Sequence, residues 1–509
     1  MQPYSNAYAN YKAKMKVLSL FLTILPLSAT SQVPDWISGT TWSVEAQTTT
    51  SSAPSSPLWL HSNCFGVGST KGENGHLRFQ LHRSEKKDSV RSWQWGYGAD
   101  IVVGYNQQQS AHLQQLYINA SHGLSRFTLG QKERATELNH PSLSTGAFLL
   151  GRNARPLPMA SWELKDWWNI SGKANNVALK LRVAYGLQTD GHWQRKYLSS
   201  SSAAYPMWAL YHEKAGYLRL GNPNRHAFTF IGSLEMATQF GGTIHHAGTW
   251  SRTMAEPIHA GYHWKGFVHA LLGKGGSDAT DGEGYGNSAG NTLGAWRASF
   301  NYQPHHKRWN ARLYYDHFFE DQSQMFQQYG WLDGLVGLEV NLPTNKVVNT
   351  IVIEHLRTDY QSGPIYHDHT AQIPDQISGS DNYYNHNLYQ GWQNYGMAMG
   401  NALFASPLYE RTSSLQFTAT RFRATHIGVS GTPLPQLQYR LLYSHLKTWG
   451  TYALPFLEVE RRHHFLFETS YALPSGWKAQ IALGFDRGVH WGNTFGTQIT
   501  IQKSGVLLP

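Results

Sequence analysis

Cysteine is almost missing: Cys64 is the only one in 509 residues, which excludes an intramolecular disulfide framework and any metal site built on several thiolates. Its plain reading is a small apolar residue in an early strand. Charge is scarce as well. Asp, Glu, Lys and Arg make up 15% of the chain, against roughly 25% in soluble domains, so an ordinary solvated surface is hard to build from it. Long apolar runs are also wanting. The longest, at 17–27, falls short of the roughly 20 residues a membrane-spanning helix needs. Mean hydropathy is −0.45, so a bundle of membrane helices is excluded. No HExxH, GxSxG or P-loop pattern occurs, and Gly66, Gly68 and Gly72 lack the sequel a phosphate loop requires. The expectation is a non-enzymatic chain without cofactor or metal.

What the chain does have is aromatic residues (13%) and 48 glycines, a mixture suited to a wall that is greasy on alternate positions only. WQWGYGADIVVGY at 93–105 shows it best. As a strand it puts Trp93, Trp95, Tyr97, Ala99, Ile101, Val103 and Tyr105 on one face and small or polar residues on the other. The same alternation recurs at 77–82, 177–185, 228–236, 437–444, 477–486 and 495–502. Aromatic residues stand at strand ends (Trp93, Tyr105, Tyr185, Trp477, Phe485), as in the girdles of a transmembrane barrel. The fold expected is all-β: a large antiparallel transmembrane β-barrel of sixteen to twenty strands. The chain's end, SGVLLP, lacks the usual terminal aromatic.

The N-terminus gives an address. Lys12, Lys14 and Lys16 precede the apolar run, and Ser28-Ala29-Thr30-Ser31 follow it, so 1–31 reads as a signal peptide cut after Ser31, with Met15 an alternative start. The Ser/Thr-rich stretch 32–56 reads as a flexible periplasmic lead-in, and 57–509 as the barrel in the outer membrane. The polar, Gly-rich segments 273–290 and 364–400 read as extracellular loops. The segment 141–168, with Pro156 and Pro158, breaks the alternation.

That broken segment carries LSTGAFLLGRNARPLP (143–158), which resembles a signature of the Wzi family of outer-membrane capsule-assembly proteins in its Bacteroidetes form. Three more stretches resemble the family in order: LYHEKAGYLRLG (210–221) with QFGG (239–242), DNYYNHNLYQGWQNYGMAMGNALF (381–404), and RFRATHIGVSG (421–431) with WGTY (449–452). Ala402 stands where the family pattern has proline. The resemblance implies a barrel of about 18 strands with a periplasmic or luminal plug or short helical segment. It also implies a lectin-like role in holding capsular polysaccharide at the cell surface, alongside other capsule-export components, without chemistry.

The formal charge of +10 and pI near 9.3 point to an anionic partner. A membrane barrel makes acidic polysaccharide and outer-membrane lipid the partners expected, and nucleic acid not. Candidate sugar contacts are Tyr383, Tyr384, Asn385, Tyr389, Trp392 and Tyr395. Aromatic faces stack on the C–H faces of sugars while amides meet the hydroxyls. The other reading of the same residues is plug packing. Arg152 and Arg155 suit a uronate carboxylate, or pair with Asp or Glu inside the barrel. Arg78, Lys180, Arg182, Arg440 and Lys478 share polar strand faces. They give the lumen a positive lining, or balance luminal acids. A diffusion channel for anionic solutes or saccharides is the alternative function. The pairs His245–His246, His305–His306 and His463–His464, the His367/His369 pair and the acidic Asp278, Asp281 and Glu283 fall short of a metal site.

Overall fold

The computed structural model describes residues 37–85, 92–246, 248–249, 252–253, 256–273, 290–304, 309–320, 325, 332–365, 367, 371–372 and 379–507. The segment 1–31 read as a signal peptide, the His305–His306 pair, His369, and Asp278, Asp281 and Glu283 lie outside these residues. Among the described residues eighteen strands form one closed antiparallel barrel. They are β1 (Thr41–Ser51), β2 (Asn74–Arg83), β3 (Gln94–Tyr105), β4 (Ala111–His122), β5 (Ser125–Gln131), β6 (Pro158–Leu164), β7 (Val177–Leu187), β8 (Leu210–Leu220) and β9 (Phe228–Phe240). The ring continues through β10 (Asn291–Tyr302), β11 (Asn310–Phe319), β12 (Gly334–Asn341), β13 (Thr350–Arg357), β14 (Arg421–Leu434), β15 (Leu437–Gly450), β16 (Pro455–Leu473), β17 (Trp477–Arg487) and β18 (Thr494–Val506). Each strand pairs with its neighbour in sequence, and β1 closes the ring by pairing with β2 on one edge and β18 on the other. Closure leaves no open edge, the condition for spanning a bilayer with strands. No described helix is long and apolar enough to cross a membrane.

The alternation seen at 93–105 is the in–out pattern of the wall. Trp95, Ile101, Val103 and Tyr105 of β3 face out and are exposed, while Gln94, Gly98, Asp100 and Val102 are buried inside. One sequence expectation is corrected here: the lead-in 32–56 contains β1. Its Ser/Thr content hid a strand in which Trp42, Val44 and Ala46 alternate with Ser43, Glu45 and Gln47. Threonine is β-branched and fits a pleated wall as readily as a linker.

Connectivity orients the barrel. Following the chain from β1, the segments 84–93, 123–124, 165–176, 221–227, 303–309, 342–349, 435–436 and 474–476 fall at one end, together with the start of β1 and the end of β18. The long segments 52–73, 132–157, 188–209, 241–290 and 358–420 all fall at the other. Short turns mark the periplasmic end and long loops the extracellular one.

Three of those long segments turn inward. Residues from 52–73, 132–157 and 358–420 share one buried core with wall residues such as Leu293, Leu335, Val352, Leu442 and Leu466. The stretch within 364–400 expected to be an extracellular loop is thus largely internal from Tyr383 onward. Two plug backbones meet where Gly151 N donates to Met399 O at 2.7 Å. A Cβ on Gly151 would lie 2.2 Å from Gly400 O, and one on Gly400 would lie 2.0 Å from Phe148 O. Only glycine allows that crossing. The Ala402 departure also finds its reason here. Its N–H donates to Thr145 O at 3.1 Å, and proline has no N–H to give.

Candidate functional site

The plug is fastened to the wall by buried acids that accept from its backbone N–H and hydroxyl groups. Glu354 of β13 accepts from Ser144 Oγ (2.5 Å), Thr145 N (2.8 Å), Thr145 Oγ1 (2.7 Å) and Tyr314 Oη (2.5 Å). Asp316 of β11 accepts from Phe148 N at 3.0 Å. Asp486 of β17 accepts from Leu58 N at 2.8 Å and from Tyr409 Oη. On the plug side, Glu410 meets Arg462 of β16 at 2.5 Å, both side chains 2% exposed. Burial pushes the Glu410 carboxyl up, but Arg462 and His490 outweigh it and hold it below its ordinary value. A carboxylate buried with such partners is costly to strip of them. The plug is therefore fixed in place.

The aromatic–amide stretch lies within this plug. Trp392 is fully buried and its indole N–H donates to Leu149 O at 2.8 Å. Tyr384 is fully buried, stacks on Phe404 at 4.1 Å and donates to Phe148 O. Tyr383 donates to Asp333 Oδ2 at 3.0 Å, and Tyr389 to Gly241 O at 3.0 Å. Burial drives the hydroxyls of Tyr383 and Tyr384 well above the ordinary tyrosine range. Asn385 is half-buried and its amide clamps both the N–H and the C=O of Phe417 at 2.8 Å. The structure brings these residues together with their polar atoms on protein partners and their rings covered. Asn387, exposed, and the half-buried His386 and Gln390 reach the surface of the same segment.

Arg152 and Arg155 correct a second expectation, pairing with an acid. Neither guanidinium has a carboxylate of the described residues within ion-pair distance. Arg152 stacks on Phe65 with its guanidinium 4.9 Å from the ring centroid. Arg155, 5% exposed, stacks on Tyr395 at 4.1 Å, donates to Gln109 Oε1 at 2.7 Å, and leaves its Nε without a partner. Burial lowers its pKa to about 10, so it still carries its charge at neutral pH.

Arg155 lines a cavity of about 380 Å³ under the plug. Leu149, Leu157 and Met399 roof it; Arg126, Glu163 and Lys165 stand at its periplasmic end. A second cavity of about 700 Å³, at the periplasmic rim by Thr41, Trp42 and Val506, shares Lys132 and Glu133 with the first. Most cations of the wall are balanced. Arg78 meets Asp100 (2.5 Å) and Glu133 (2.7 Å), Lys180 meets Glu137, and Arg182 meets Glu163 (3.0 Å) and Glu213 (2.6 Å). Arg440 meets Glu468 at 2.9 Å, and Lys478 is exposed near the periplasmic rim. The luminal lining is thus largely a set of ion pairs. Lys132 joins Arg152 and Arg155 as an exception: it has only a long contact to Asn119 Oδ1 (3.5 Å) and the Tyr117 ring at 4.8 Å, and burial lowers its pKa to about 8.

Sequence reasoning missed Lys132, Glu133, Glu163 and Glu213 as cavity residues. The even spacing of Arg126, Thr128 and Gly130 along β5, running on to Lys132, was the available signal. The described residues contain no group of three His, Cys, Asp or Glu side chains placed to hold a metal ion.

No protein-family model matches the sequence, and no curated protein matches it. Among solved structures the barrel is similar to Wzi of Escherichia coli, an outer-membrane protein involved in group 1 capsule assembly and described as a carbohydrate-binding β-barrel. That likeness has a TM-score of 0.53 at 11% identity and covers 92% of this chain and 84% of that one. Pseudomonas aeruginosa OccD3 matches with a TM-score of 0.44 at 10% identity over 94% of each chain. At such identities the likeness concerns the fold: a closed antiparallel β-barrel of the kind seen in outer-membrane proteins.

Proposed function

We propose that this chain is a non-enzymatic outer-membrane protein that binds acidic exported polysaccharide and retains it at the cell surface, in the manner the Wzi-like motifs imply. The observation that carries the reading is Arg155: a buried cation that lines a cavity and has no carboxylate of the described residues within ion-pair distance. An uncompensated buried charge is costly, and the carboxylate of a uronate-like sugar supplies the missing partner. Lys132 stands in the same cavity and Arg152 just beyond it. The amides of Asn387 and Gln390 at the plug's outer surface suit sugar hydroxyls. The fold of a carbohydrate-binding barrel adds support, and the exported address at 1–31 agrees with it. Other capsule-export components are the partners this role calls for.

The fixed plug weighs against the alternative of a diffusion channel, which the charged wall beneath it favours. Titration of the purified protein with a glucuronate-containing polysaccharide and with a neutral one tests the reading. The acidic glycan binds, the neutral one binds more weakly, and Arg155→Met removes much of the difference. Equal binding of both, or none, overturns it.

A further inference from the structure

One polar stretch of the outer wall lies beneath a helix. On β8, Tyr211, Glu213, Ala215 and Tyr217 point inward, so His212 and Lys214 fall on the outward face with Leu218 and Leu220. A lysine near the middle of a lipid-facing wall is destabilising unless it is covered. Here it is covered. Within the extracellular segment 241–290, the helix Trp264–Leu272 folds back against the outside of β8 and β9. Lys214 Nζ donates to the helix's last carbonyls, Ala270 O at 3.0 Å and Leu271 O at 2.5 Å. Those carbonyls are the acceptors a helix C-terminus leaves open, at the negative end of its dipole. Phe267 packs on Tyr185 at 5.4 Å and on Phe240 at 5.5 Å, and Tyr185 Oη donates to Phe267 O at 2.9 Å. His212 lies under Tyr185 at 4.4 Å.

The helix descends the wall. Gly266 is level with Phe240 at the extracellular end of β9, and Gly273 with Met236 and Lys214 Nζ. Four residues along the strand span roughly 13 Å and seven along the helix roughly 10 Å, so the two run down the wall together. Its far side is apolar along one stripe: Trp264 (71% exposed), Val268 (36%), Leu271 (41%) and Leu272 (58%). That stripe runs on into the exposed Leu218, Leu220 and Phe228 of the barrel wall. His263 and Lys265, both exposed, sit at the upper end with Trp264, the place of headgroups and interfacial tryptophan.

We infer that the helix Trp264–Leu272 is immersed in the outer leaflet, with its apolar stripe against lipid acyl chains and Lys214 sealed beneath it. The occupant of the stripe is lipid because the stripe continues the lipid-facing band, and the exposed His263 and Lys265 lie at the headgroup end while His269, in the last turn, is half-buried. This rests on the barrel's place in the membrane and is independent of the glycan reading.

The test places an environment-sensitive fluorophore on Leu271→Cys in a Cys64→Ser background, in phosphatidylcholine vesicles with and without acyl-brominated lipid. Ile499→Cys on the barrel band and Lys196→Cys at the exposed extracellular side serve as references. The Leu271 probe is blue-shifted and quenched by bromine as strongly as the Ile499 probe, and several-fold more than the Lys196 probe. Quenching no greater than at Lys196 overturns the inference. So does probe self-quenching that rises with protein-to-lipid ratio without bromine quenching, which identifies a second copy as the occupant. Val268→Cys gives the same reading if the first variant fails to fold.

Discussion

At the scale of single residues, the plug's charges and rings make separable predictions. His61 is fully buried in the 52–73 segment, 5.0 Å from the Tyr409 ring, and neither ring nitrogen has a hydrogen-bond partner. Burial pushes its pKa down to about 4, against the pull of Asp486 and with a small push from His464. The unfolded chain therefore takes up the proton first as pH falls. Stability is full above the ordinary histidine value and declines between about pH 6.5 and pH 4, by roughly 3 kcal/mol for this shift. His61→Phe flattens that decline in thermal unfolding of the detergent-solubilised protein; an unchanged slope refutes the assignment. Trp392→Ala leaves a large void and an orphaned carbonyl at Leu149, and lowers stability by about 3–5 kcal/mol. Glycan binding measured with that variant reports plug integrity first, so Arg155→Met is the cleaner probe of recognition. The stretch at 381–404 shows why residue types alone stopped short. Tyr hydroxyls, the Trp N–H and Asn amides need partners whether they face a sugar or a plug, and the sequence names the groups without the side from which they are met.

Elements were legible where one face meets lipid. β3 reads correctly because its outward residues are large and apolar and its inward ones small or polar. β1 did not, since a Ser/Thr-rich strand lacks that contrast. β8 broke the pattern at Lys214 because a helix from a distant segment covers it, a partner no local window contains. The plug was expected from the family resemblance, but its anchoring was unreadable for the same reason: the anchors join positions hundreds of residues apart, as Ser144 and Thr145 do with Glu354. Glu354→Leu leaves three hydroxyls and an N–H without their acceptor and costs about 3 kcal/mol or more. It loosens the 143–146 anchor, so single-channel recordings show steps that the native protein lacks. Silence in both proteins indicates that the other anchors suffice and refutes this one's part in the seal.

For the whole molecule, few charges, many aromatics and recurring alternation were enough to foresee a large closed barrel, because lipid outside and polar atoms inside leave little other choice. Which function the barrel serves rests on its filled lumen and on cations left without acids. The most direct test of retention is the amount of capsular polysaccharide on washed cells and in the medium, with and without this protein. The account predicts that its removal shifts glycan from cells to medium at constant total. An unchanged total with unchanged distribution contradicts it.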